Sequence, residues 1–116
     1  MKNFRYLHDE IYGSNVYYVK CSRGMYTKMI KREFNEIAPE KADTVMATFE
    51  VYPHKGIAIR VVWLAEKAGI DQLVHECFHL THDVMQDRGL YLTDQSDEAY
   101  AYFMQFVFKK MKVLIR

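Results

Sequence analysis

Cysteine is scarce in this sequence, and the two present, Cys21 and Cys77, form no C-x-x-C pair. A small secreted domain usually carries a disulfide framework, so a reducing, cytoplasmic setting is the expectation. Neither sign of charge dominates: sixteen Lys and Arg stand against fifteen Asp and Glu. Without a basic stripe, nucleic acid is not an expected partner. No apolar run approaches the length of a membrane span, and the opening MKNFRYLHDEIYG lacks the apolar stretch of a signal peptide. A soluble protein with no membrane partner is therefore expected. Internal repeats, low-complexity tracts and linkers are also missing, so residues 1–116 read as one compact domain.

What the chain does have is core material: half of its residues are hydrophobic and 15% are aromatic. That is enough for one core without disulfides. Residues 15–21, NVYYVKC, follow a Gly-Ser-Asn cluster and read as a strand, with Phe4–Leu7 as a short edge partner. Met25, Met29, Ile30, Phe34 and Ile37 recur at helical spacing, which predicts a helix over 24–38 before Pro39. TVMATFEVY (44–52) and GIAIRVVWL (56–64), separated by Pro53, His54 and Lys55, read as a hairpin. A long helix is expected over 70–87, closed by Gly89, and a last one from about Ser96, whose hydroxyl can cap it, to Val113. The order predicts an α+β domain, a small mainly antiparallel sheet packed against two long helices.

The informative segment is His75-Glu76-Cys77-Phe78-His79, an H-E-x-x-H on a predicted helix. Residues i and i+4 lie about 40° apart around a helix, one turn above the other. Two imidazoles at that offset can share one tetrahedral metal ion. Glu76 projects about 100° from His75, beside the metal, where it can hold the attacking water and take its proton. Chance produces this pattern on the order of once per hundred such chains, so the match is a hypothesis to be weighed. Its bland alternative is an exposed polar face with unremarkable histidines. Against that, Ile70, Leu73, Val74, Cys77, Phe78, Val84 and Met85 form an apolar stripe for packing on the sheet. His75, His79 and His82 gather on the other side. Cys77 reads as a buried small hydrophobe, and His8 and His54 as surface residues.

The third ligand sets the subtype. A metzincin continues to glycine and a third histidine, whereas this chain has His82 and Met85 there, and no histidine follows His82. An acidic residue from another helix remains, the His-His-Glu arrangement of thermolysin-like enzymes. Glu98, on the first turn of the last helix, is the best candidate, with Ala101 and Gln105 on its face. Asp97 and Asp94 are fallback ligands whose plainer role is to complement the helix dipole. Tyr91, Tyr100 and Tyr102 are candidate donors to the transition state. His82 reads equally well as an outer-shell support or a solvent-facing residue.

The runs HECFHLTH and SDEAYAYF resemble the small gluzincin-like metallopeptidases of the ImmA/IrrE type, including compact relatives from phage and mobile elements. The resemblance covers roughly residues 44–110; Glu98-x-x-Ala101 matches it, and Tyr102 departs from the asparagine frequent at that position. Larger members carry a helix-turn-helix or sensor module not found in these residues. The resemblance implies a minimal zincin-like fold, a Zn2+ cofactor and cleavage of a protein or peptide substrate. It also implies that the strand 56–64 is the edge along which substrate lies, main chain to main chain. Two other readings stand beside it: a catalytically weak or inactive zincin scaffold that binds or inhibits a partner protein, and a structural zinc site. The last is disfavoured because structural sites are closed by four protein ligands.

Overall fold

The computed structural model describes residues 4–115. The elements follow in the order β1 (Arg5–His8), β2 (Asn15–Lys20), α1 (Arg23–Phe34), β3 (Ala47–His54), β4 (Ile57–Leu64), α2 (Ile70–Asp87), α3 (Asp97–Met111) and a 3-10 turn, Lys112–Ile115. The domain is α+β. Its sheet has the order β1-β2-β4-β3, with β1 antiparallel to β2, β3 antiparallel to β4, and β2 parallel to β4.

This order corrects one expectation. The run 56–64 is not an edge; β4 is interior, and the edges belong to β1 and β3. Every residue from Ile59 to Leu64 is buried, as in strands covered on both faces. Alternation sends Ile59, Val61 and Trp63 to one side, where they join Tyr26, Met29, Ile30 and Phe34 of α1. Val62 and Leu64 go to the other side and meet Leu73, Cys77 and Leu80 of α2 and Phe103 and Val107 of α3. The sheet is thus held between α1 and the α2–α3 pair. Among the described residues, no helix is long and apolar enough to cross a membrane.

Several boundaries differ from the expected ones for local reasons. Helix α1 stops at Phe34 because Asn35 turns left-handed (φ 55) and its N–H closes on Lys31 O. Ile37 consequently lies outside the helix and is exposed, while Tyr26 holds the core place expected of Met25. Strand β3 begins at Ala47 and runs through Pro53 to His54, which pairs with Ile57. Lys55 and Gly56, both at positive φ (51 and 83), make the two-residue turn, the hairpin geometry that matches strand twist. Pro53 is tolerated because an edge strand needs no N–H on its outer side. Helix α3 begins at Asp97, but Ser96 does not cap it. The Ser96 hydroxyl accepts from Thr93 N–H at 2.9 Å and donates to Tyr91 O, tying down the preceding loop.

On α2 the expected apolar stripe is split. Leu73, Cys77, Val84 and Met85 are buried, joined by Leu80 and Thr81, whereas Ile70, Val74 and Phe78 are 56%, 41% and 43% exposed. The helix packs on both the sheet and α3, which rotates its buried sector away from the Ile70–Val74–Phe78 flank.

Candidate metal centre

The helix that carries the motif is held at both ends. At its start, Gln72 Oε1 accepts from Gly69 N–H at 2.8 Å. At its end, Gly89 (φ 76) donates to Gln86 O and Leu90 to Met85 O, the paired bonds of a Schellman motif. Between these, Arg60 reaches from β4 to Asp83 at 2.7 Å and Asp87 at 3.4 Å.

On this helix the Nε2 atoms of His75 and His79 lie 3.0 Å apart. Their rings are edge to face, with centroids 4.7 Å apart. A carboxylate oxygen of Glu76 completes a group whose ligand atoms lie within 4.8 Å of one another. This group can hold a metal ion. Tetrahedral zinc bonds of about 2.0–2.1 Å place two ligand nitrogens about 3.3 Å apart, so a slight opening of the rings fits the donor set to the ion. His75 and His79 are exposed while Glu76 is buried. Burial raises the Glu76 pKa; His75 and His79 pull it back down, Glu50 raises it and Lys41 lowers it.

The strand beside the site is the β3 edge. Ala47, Thr48 and Phe49, with Lys41 and Val45 from the preceding loop, face Glu76, His79 and His82 across a hollow of about 500 Å³. A second hollow of about 400 Å³ opens beside His75, bounded by Met46, Ala47, Asp71 and Gln72. Both are lined by Glu76 and Ala47, so the buried carboxylate sits where they meet.

His75, Glu76 and His79 are therefore brought together. Glu98 is not part of that group; it is exposed on the first turn of α3, and Ala101 and Gln105 are exposed with it. Asp97 lies one turn before Tyr100, whose ring centroid is 6.4 Å from that of His82. Residues three apart share a helix side, so Asp97 begins the side of α3 turned toward α2. Asp94 is exposed in the connector.

Tyr100 is occupied, since its hydroxyl donates to Leu90 O, whereas Tyr91 and Tyr102 are 63% and 67% exposed. His82 Nε2 lies 2.7 Å from Gln86 Nε2, and its ring stacks on Phe78. His8 is exposed and bonds Asn15, while His54 is half-buried against Phe34. Cys77 is buried, which pushes its thiol up to about 12. Sequence reasoning missed Lys41 and Glu50. Lys41 lies in an irregular segment with no motif. The alternation of 44–52 could have placed Glu50 on the inward face of its strand.

No family model, curated protein or solved structure matches this chain.

Proposed function

We propose that the chain is a zinc-dependent peptidase on a minimal zincin-like scaffold. His75 and His79 hold the metal, a carboxylate from the opening turn of α3, Glu98, completes the ligand set, and Glu76 is the general base. The observation that supports this most is the meeting of two imidazoles and one buried carboxylate at a sheet edge. Zinc bound there would supply a Lewis acid and make the attacking water easier to deprotonate. An extended protein or peptide segment lies along β3, gaining main-chain hydrogen bonds at that edge. Glu76 takes a proton from the attacking water and returns it to the departing amine.

A second reading has one observation in its favour: among the described residues, no carboxylate besides Glu76 joins the group around His75 and His79. On that reading the scaffold binds or inhibits a partner protein without cutting it. Incubation of wild type and Glu76→Gln with a mixed peptide library, followed by mass spectrometry and metal analysis, separates the two. Cleavage by wild type alone supports the peptidase; metal retention with no cleavage by either supports the binding module.

A further inference from the structure

The sheet has a second free edge. Among the described residues, strand β1 pairs only with β2, and three inter-strand steps, about 14 Å, separate it from the β3 edge at the metal centre. Asp9 N–H bonds Ser14 O at 2.9 Å, which fixes the phase of the β1–β2 ladder. Bonded and open pairs alternate in an antiparallel ladder. With Arg5 opposite Tyr18 and Leu7 opposite Val16, those residues bond inward, and the N–H and C=O groups of Tyr6 and His8 point outward. Neither proline nor a bulge blunts this edge, the usual protection against strand addition.

A groove of about 770 Å³ runs beside it, between Tyr6–His8 and the aromatic wall of Tyr102, Phe103 and Phe106 on α3. That is the size of a ligand site. The apolar surface is open: Ile11 is 81% exposed and Tyr102 67%. The ends differ in charge. Arg5 pairs with Tyr18, which lines this groove together with Lys110 and also lines the next hollow with Val113 and Leu114. Lys110 thus marks one end, with Arg5 just beyond it in the next hollow beside Lys20 and Glu66, and Glu10 marks the other. None of Arg5, Glu10 and Lys110 forms an ion pair among the described residues.

We propose that the groove between β1 and α3 docks an extended peptide that adds to the sheet as a fifth strand, antiparallel to β1, with its acidic C-terminal end at Arg5 and Lys110. The free main chain at Tyr6 and His8 selects an extended backbone, the mode in which a peptide augments a sheet edge. The aromatic wall takes alternate apolar side chains. Because β1 runs from Arg5 toward Glu10, this charge arrangement dictates the antiparallel direction. The site is separate from the metal centre and operates whether or not the chain cuts peptides.

The test is an amide NMR titration of the full chain, with no metal added. The probe is acetyl-Lys-Thr-Val-Thr-Leu-Thr-Asp with a free carboxylate; the control is acetyl-Asp-Thr-Val-Thr-Leu-Thr-Lys-amide. The expected result is saturable shifts confined to residues 5–12 and 99–110, with binding of the charge-reversed peptide weaker by about tenfold or more, as for loss of a charge-assisted contact. His8→Pro, which removes an outward N–H and spares the ladder, and Tyr102→Glu, on the exposed wall, should each weaken binding about tenfold. Should His8→Pro fail to fold, Tyr102→Glu decides. No saturable shift at millimolar peptide overturns the proposal, as do shifts along 47–54. Shifts in the same residues on concentrating the protein alone also overturn it, in favour of a second copy as occupant.

Discussion

Asp83 Oδ2 accepts a 2.7 Å hydrogen bond from Arg60 Nε one helical turn beyond His79. Arg60 is buried in the interior strand, so the contact fastens the metal-binding helix to the middle of the sheet. Losing one partner of a fully buried pair costs about 3–5 kcal/mol. Here the side chains of Asp83 and Asp87 are 39% and 60% exposed, and water can replace much of what they lose. Arg60→Met should therefore lower unfolding stability by about 1–2 kcal/mol, read from the urea midpoint. An unchanged midpoint would show that the pair contributes nothing.

Purified without chelator, the protein should contain about one zinc per chain, as two histidines and a carboxylate form a three-ligand site. His75→Ala and His79→Ala should each empty it in elemental analysis. Glu98→Ala should do the same while Asp97→Ala and Asp94→Ala leave it filled. Loss of metal in Asp97→Ala with retention in Glu98→Ala would move the third ligand to the residue that shares a side with Tyr100. No metal in wild type after incubation with zinc would end the metal-centre reading.

Glu76→Gln should keep the fold and the zinc and lose hydrolysis by about a hundredfold to ten-thousandfold, the usual worth of a general base. Glutamine nearly matches the shape of glutamate, so packing around the buried side chain is preserved. Peptide cleavage and metal content measured on the same samples provide the check. Equal cleavage by both proteins would point to another base or a contaminating protease.

The two cysteines should be unreactive in the folded protein. Burial pushes Cys77 up to about 12 and Cys21 up to about 11, leaving almost no thiolate, the reactive form, at pH 8. Ellman's reagent should find no thiol under native conditions and two in guanidinium chloride. Rapid native labelling of Cys77 would mean that the face of α2 packed against the sheet opens readily.

Periodicity made the α+β class and most of the elements legible. The H-E-x-x-H spacing made the His75–Glu76–His79 grouping legible, since one helix carries all three. What escaped was set by tertiary packing or by single-residue conformations. Nothing local could reveal that β2 inserts beside β4 in parallel, making 56–64 interior and giving the cleft to β3. The left-handed Asn35 ended α1 inside an apparently continuous apolar pattern. The Ile70–Val74–Phe78 flank followed the core pattern but is exposed, because α3 covers a different sector of α2. Distance along the chain and a small neighbour single out Glu98 in the sequence, and neither of them fixes the rotation of α3.

The tight turn at Lys55–Gly56 also bears on the order in which the molecule assembles. It makes β3–β4 the most local pairing in the sheet, and hairpins of this kind close in about 1–10 μs. Strand β2 must instead reach β4 across all of α1 and β3, a long closure of the kind that slows folding. Every residue that lines the two hollows beside His75, Glu76 and His79, including the β3 wall, comes from one unbroken stretch, 41–87. A chain in which only that stretch has consolidated already presents both imidazoles, so a metal ion can bind, and favour the native arrangement, before β1 and β2 have docked.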